Sequence, residues 1–375
     1  MTEYQSLAAL GWRPFFQQQL TLAELSHTFP ARIVEQHKSI ITVASESALL
    51  NLELQRSMPN MVVGDWILLD DNHRFCRLLD RSTCFRRKAA GSKRDWQLIS
   101  ANVDTAFIIC SLNENFNLNR IERYLSLVNE AGAIPVVLLS KCDLSDSPQA
   151  FIAAVRGLDN HLSVAAVNCL DRHSVIQLNH WIKDGETIVV LGSSGVGKST
   201  LINTLLGAEK QATASIREED DKGRHTTTRR SLIPVPTGGL ILDTPGMREM
   251  QLAECREGIL ATFSDIEALA NQCRFTDCQH QTEPGCAVRK AIEAGEMDPR
   301  RLGNYLKLRK EEAINSASLS EKRAKEKALG KFYKRTLTES QKLLFITVSV
   351  DDVSGRSWSL RRASSPTSVR HSVCR

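Results

Sequence analysis

The 375-residue chain has no apolar run approaching the roughly 18 residues a membrane-spanning helix needs. That argues against a helical anchor. Met1 to Leu10 carries Glu3 and no basic residue, so it does not resemble a secretory signal. Charge of one sign is also scarce, with 48 Lys and Arg against 43 Asp and Glu, a formal excess of +5. A balance that small gives little reason by itself to expect a nucleic-acid partner. With no export signal, a reducing cytoplasm is the expected compartment, and the ten cysteines read as thiols or metal ligands rather than disulfides. The hydrophobic fraction of 42% is ordinary for a globular chain, and the length predicts two or three domains.

The stretch Gly192-Ser193-Ser194-Gly195-Val196-Gly197-Lys198-Ser199-Thr200 fits the phosphate-cradling pattern G-x-x-x-x-G-K-[ST]. An apolar run, Thr187 to Leu191, precedes it and reads as a buried strand. Leu201 to Leu206 follows and reads as a helix. Glycines let backbone N–H groups turn onto a phosphate, and the helix N-terminus adds partial positive charge. Lys198 is placed to reach the outer phosphates and Ser199 to hold Mg²⁺.

Ile134 to Leu144 is an apolar strand ending in Ser140-Lys141-Cys142-Asp143. This resembles the N-K-x-D guanine-reading motif of GTPases, with Ser140 where asparagine is usual. A carboxylate at Asp143 accepts two hydrogen bonds from guanine's N1–H and exocyclic amine, donors that adenine does not offer on that edge. The Lys141 stem can lie along the base. Downstream of the phosphate loop, Leu240 to Gly246 runs a strand into D-x-x-G. Asp243 is expected to hold Mg²⁺ through water, and the Gly246 amide to sense the γ-phosphate. Between these pieces lies Gly223-Arg224-His225-Thr226-Thr227-Thr228, where Thr227 is expected to complete the Mg²⁺ shell. The base motif precedes the phosphate loop, the reverse of an ordinary small GTPase. That order implies a circular permutation, which is tolerated where the original termini lie close together.

Cys273-x4-Cys278-x-His280-x5-Cys286 offers three thiolates and one imidazole, a closed tetrahedral shell suited to one structural zinc. No activated-water partner accompanies it, so a catalytic metal is not expected. Upstream, short alternating runs at Ala31–Val34, Ser39–Ala44, Leu50–Leu54, Asp65–Leu69 and Phe75–Leu79 predict five strands of a small barrel. Arg81, Arg86, Arg87, Lys88, Lys93 and Arg94 make its exit basic. Leu7 to Leu20, with Trp12, Phe15 and Phe16, is expected to form a lead-in helix. Between Glu321 and Arg335 there are seven basic and two acidic residues, which reads as a basic helix for a phosphate backbone or as a solvated charged face. Nine of the last 40 residues are serine; within them Leu343 to Val350 looks like an isolated strand, and Ser354 to Arg375 reads as disordered and basic.

Taken together, these motifs resemble the ribosome small-subunit-dependent GTPase A family. Further matching stretches are Arg87 to Gly91, Ala101 to Thr105, Phe116-Asn117-Leu118-x-Arg120-x-Glu122-Arg123-Tyr124-Leu125 and Asp243 to Glu249. The resemblance runs from about Thr28 to Arg335. It implies a multidomain chain: a lead-in at 1–27, an all-β OB-type barrel at 28–90, a circularly permuted α/β P-loop GTPase domain at 91–256, a mostly helical zinc-binding domain with its basic helix at 257–335, and the tail at 336–375. It also implies a late maturation factor of the small ribosomal subunit, a cytoplasmic monomer that binds GTP and GDP with Mg²⁺, contacts ribosomal RNA, and hydrolyses GTP when stimulated by that subunit.

Many GTPases place a glutamine after the D-x-x-G glycine to orient the attacking water; here Met247 stands there. Slow intrinsic hydrolysis is therefore expected. His225 is the internal candidate for the water, and Lys198 and Mg²⁺ for the phosphoryl charge. GTP is expected to order Arg217 to Thr228 and Asp243 to Met250, and the second of these to pass the state to the zinc domain. Two other readings compete. One is a nucleotide-gated RNA-binding factor with negligible hydrolysis. The other is a P-loop enzyme on a small molecule, such as a kinase, which Asp143 opposes.

Overall fold

The computed structural model describes residues 6–37, 39–88, 96–113, 116–207, 230–243, 252 and 254–316. Five strands form its parallel centre: β8 (Thr105–Ser111), β9 (Ile134–Ser140), β10 (Ser163–Val167), β11 (Thr187–Gly192) and β13 (Leu240–Asp243), in spatial order β10-β9-β8-β11-β13. Every residue of β8 is buried, as a parallel strand covered on both faces should be. Alternate residues of these strands feed two separate cores. Ala106, Ile108, Val137 and Leu139 pack on one face with Ile121, Leu125 and Val128 of α3 (Leu118–Ala131). Phe107, Ile109, Val136, Leu138 and Ile188 pack on the other with Leu201, Ile202 and Leu205 of α6 (Lys198–Leu206).

From β8 the chain moves outward to β9 and β10, then returns to lay β11 on the other side of β8. The boundary between β8 and β11 is therefore the topological switch point, where open α/β sheets leave a ligand crevice at the carboxyl ends of their strands. The phosphate loop emerges from β11 at that crevice. The beginning of α3 flanks it from the β8 side.

The sheet continues past β13. β12 (Arg230–Pro234) runs antiparallel to β13, and β1 (Thr28–Gln36) pairs β12 at Glu35↔Ser231 and Gln36↔Arg230. β1 also pairs β2 (Ile40–Ala44) and β4 (Trp66–Asp70), which pair β3 (Leu49–Glu53) and β5 (Phe75–Leu78). The five expected N-terminal strands are all present. The described N-terminal strands are thus hydrogen-bonded to the central sheet. A hairpin, β6 (Cys84–Lys88) with β7 (Trp96–Ala101), follows them.

The expected lead-in helix over Leu7–Leu20 is not formed. Gly11 takes φ +87°, and a Cβ there would lie 2.7 Å from Gly185 O, so the chain turns sharply. Pro14 then starts a four-residue helix, α1 (Pro14–Gln17), and Thr21 caps α2 (Leu22–His27). The aromatic residues still pack as a group: Trp12 meets Trp66 edge-on at 4.8 Å, and Phe16 is buried beside it. Arg32, 1% exposed, donates to the carbonyls of Leu10, Gly64 and Asn102 at 2.5, 3.2 and 2.9 Å, which joins lead-in, N-terminal strands and central sheet at one side chain.

The C-terminal part is helical: α7 (Arg256–Thr262), α8 (Ser264–Ala270), α9 (Ala287–Glu293) and α10 (Pro299–Ser316). The helices α4 (Pro148–Arg156) and α5 (Arg172–Val175) complete the α-helices among the described residues.

Candidate nucleotide site and metal centre

The phosphate loop is shaped by close approach. A Cβ on Gly192 would stand 2.6 Å from the carbonyl oxygen of Ile109, so only glycine lets β11 turn so near β8. Gly197, at φ +101°, precedes the first turn of α6. Lys198 Nζ folds over the loop, donating to Gly192 O at 2.8 Å and to Ser193 O. From the opposite wall, Arg120 Nη1 donates to Ser193 Oγ at 3.2 Å. Ser194, Gly195 and Ser199 are exposed, while Val196 is buried beneath them and Thr200 is half-buried.

Ser140 has a part that its place in the motif did not reveal. Its side chain is fully buried, and its hydroxyl donates to Val196 O at 2.6 Å. The strand that ends in the Ser140-to-Asp143 motif is thereby tied to the backbone of the glycine-rich loop. Lys141 follows in the left-handed region at φ 57°, and Cys142–Leu144 form a short 3₁₀ turn that leaves Asp143 exposed. β10 ends beside β9 at Val167↔Ser140, which brings Asn168-Cys169-Leu170 to the same edge. Thr204 Oγ1 of α6 donates to Cys169 O at 2.7 Å, and the Cys169 thiol would be 3.5 Å from a Cβ at Gly197. Burial pushes that thiol up to about 11, so it is inert. Sequence reading passed over this loop, because its only signal is its place after the strand next to the base motif.

Asp243 lies at the end of β13, two strands from β8 and beside the phosphate-loop strand. Thr226, His225, Thr227, Gly246 and Met247 lie outside the described residues, as do the 321–335 segment and the tail. Arg81, expected among the basic exit residues, is instead committed to buried Asp65, which it meets at 2.7 and 2.8 Å. Burial of an acid required a partner, and Arg81 is it. Arg86 lies over the Trp96 ring at 4.9 Å, and Arg87 donates to Gln97 at 2.9 Å. The stretch Ala101 to Thr105 is a joint: Asp104 accepts from the Thr187 amide at 2.7 Å and from Arg13 at 2.5 Å.

The metal-ligand candidates converge. The ligand atoms of Cys273, Cys278, His280 and Cys286 all lie within 4.8 Å of one another. Cys273 Sγ is 3.9 Å from Cys286 Sγ, and His280 Nδ1 is 3.7 and 3.5 Å from the two sulfurs. A tetrahedral zinc with Zn–S of about 2.3 Å and Zn–N of about 2.05 Å sets edges of about 3.8 and 3.5 Å, which the Cys273, His280 and Cys286 spacings match, and Cys278 stands near enough to be the fourth ligand. The loop holds itself in shape. Glu283 accepts from the amides of Gln279, Gln281 and Thr282, bonds that hold its carboxyl down at about 2. His280 sits at φ 58°, and burial lowers its pKa, which keeps the imidazole neutral as a ligand must be.

Comparison with known proteins agrees with this geometry. The family model described as RsgA GTPase matches residues 78–253. "Small ribosomal subunit biogenesis GTPase RsgA 2" of Vibrio parahaemolyticus is 52% identical over 336 residues, covering 90% of this chain and 94% of that protein. "Small ribosomal subunit biogenesis GTPase RsgA" of Xanthomonas axonopodis pv. citri is 46% identical over 334 residues, covering 85% and 92%. Among solved structures, YjeQ from Thermotoga maritima aligns with TM-score 0.56 at 24% identity, covering 75% of this chain and 97% of that one. YloQ, titled a circularly permuted GTPase, aligns with TM-score 0.55 at 23% identity, covering 75% and 93%. These two share the fold.

Proposed function

This chain belongs to the RsgA GTPase family, and from that premise we propose that it hydrolyses GTP to GDP and phosphate during maturation of the small ribosomal subunit. The observation that carries the reading is the convergence at one sheet edge. The phosphate loop, the Ser140-to-Asp143 base motif and Asp243 all stand at the carboxyl ends of parallel strands in one sheet. Lys198 neutralises phosphate charge there, Ser199 and Thr227 hold Mg²⁺, and Asp143 selects guanine. The Gly246 amide reads the third phosphate. His225 orients the attacking water in place of the missing glutamine.

The Cys273, Cys278, His280 and Cys286 group holds one structural zinc, supported by the convergence of its four ligand atoms within 4.8 Å of one another. The N-terminal strands serve as an OB-type platform, and together with the zinc-bearing helices they grip ribosomal RNA in the cytoplasm. GTP tightens that grip, hydrolysis relaxes it, and the monomer leaves. Stimulation by the small subunit then sets the rate.

GTP turnover by the full chain, alone and with isolated small subunits, tests this, with large subunits as control. Stimulation by small subunits alone is the expected result. GTP binding without turnover under any condition would replace this reading with the nucleotide-gated RNA-binding factor.

A further inference from the structure

We propose that Arg120 is a catalytic residue, a guanidinium delivered in cis to the transferring phosphoryl group from the helix that follows β8. The proposal rests on the reading of this site as a GTP hydrolase.

β8 and β11 are parallel neighbours, with Ile109 opposite Gly192, and the chain leaves them toward opposite faces of the sheet. The crevice so formed has α3 on one wall and α6 on the other. Arg120 lies in the first turn of α3, where Asn117 caps the helix by accepting from the Arg120 amide at 3.1 Å. Its guanidinium reaches across the crevice to the Ser193 hydroxyl, while Lys198 reaches the same residue's carbonyl from the other wall. Two cations therefore converge on one residue of the phosphate loop, at the place where this class of sheet binds its ligands.

The helix that carries Arg120 is firmly held. On its next positions, Glu122 is fully buried among Arg300, Arg301 and Asn304, and Arg123 makes a two-pronged pair with Glu311 at 2.6 and 2.7 Å. A guanidinium on so fixed an element is preorganised, as catalytic charges must be. A phosphate's oxygens offer it charge-assisted, two-pronged bonds, each stronger than its bond to the neutral Ser193 hydroxyl. The chemistry also leaves a place for such a group, because the Met247 side chain has no donor or charge to offer the transferring phosphoryl group. In hydrolysis the water oxygen bonds to the γ-phosphorus as the bond to the β–γ bridging oxygen breaks. The water's proton is released, and GDP keeps the bridging oxygen. Arg120 N–H groups bond the non-bridging γ-oxygens while their charge spreads.

The test uses the full chain with Arg120→Ala and Arg120→Lys. Turnover is measured with and without small ribosomal subunits, alongside affinities for GDP and a non-hydrolysable GTP analogue and a thermal melt. Arg120→Ala is expected to lower kcat by about 10²-fold or more, within the range of lost transition-state donors. It should weaken the GTP analogue more than GDP. Arg120→Lys should recover only part of the loss, because an ammonium lacks the planar fork. Turnover close to wild type in Arg120→Ala would overturn the proposal. So would equal weakening of GDP and analogue, the mark of a brace for Ser193. Should Arg120→Ala melt early, Arg120→Lys and Arg120→Gln carry the same comparison. A wild-type chain without turnover refutes the hydrolase reading instead, and the affinity ratio still decides whether Arg120 meets the third phosphate.

Discussion

Ser140 ties two segments of the chain together through one hydroxyl. It is fully buried and bonds Val196 O, so the strand carrying the proposed base motif is tied to the proposed phosphate loop. Losing a single buried hydrogen bond costs about 1 kcal/mol, or roughly a fivefold change in a binding constant. Ser140→Ala is therefore expected to weaken guanine nucleotides about fivefold while leaving selectivity over adenine intact, since Asp143 is untouched. Titration with fluorescent GTP and ATP analogues checks this. A loss of guanine selectivity in Ser140→Ala would mean that the hydroxyl reads the base directly.

Among the elements, α3 links the glycine-rich loop to the C-terminal helices. Its Arg120 end lies at the phosphate loop, and its middle is bolted to α10 through Glu122. That carboxylate accepts from Arg300 at 2.9 and 3.1 Å, from Arg301 at 2.8 Å and from Asn304 at 2.5 Å. Its far half packs on α7, where Gly258 lies so near that an added Cβ would be 2.0 Å from Ser126 O. Removing one partner of a buried ion pair strands the other. Glu122→Gln should therefore cost about 3 kcal/mol of unfolding free energy, read from urea denaturation, and more than Glu311→Gln at the half-exposed pair with Arg123. Equal costs would show that the buried cluster adds nothing beyond a surface pair. The lead-in makes a related point about elements. Its aromatic spacing suggested one helix, but Gly11 and Pro14 break the backbone while the same rings still find Trp66.

For the whole molecule, the metal centre and the nucleotide crevice lie on different elements, so they should fail separately. The segment from Cys273 to Cys286 has no helix or strand between α8 and α9. A structural zinc supplies folding energy directly to such a loop. The purified chain is expected to carry about one zinc, and a strong chelator should abolish hydrogen-exchange protection over α8 and α9 while β8 and β11 keep theirs. Protection unchanged by chelation would rule out a structural ion. Among the described residues no helix is long and apolar enough to cross a membrane, in keeping with the short apolar runs of the sequence.

What the sequence by itself determined is the local chemistry. The glycine-rich turn between β11 and α6, the Cys and His cluster that could hold a metal ion and five N-terminal strands each depend on neighbours a few residues apart, and turn sterics, strand period and ligand spacing are written at that range. What only the tertiary structure decided is the pairing of distant side chains. Arg81 could be read as a surface cation until Asp65 proved to be buried beside it. Arg120 and Ser193, 73 residues apart, meet because β8 and β11 are neighbours. Cys169 joins the nucleotide edge because β10 ends level with Ser140. Such pairings follow from strand order, which is fixed by the burial of two continuous core faces and not by any single stretch of the chain.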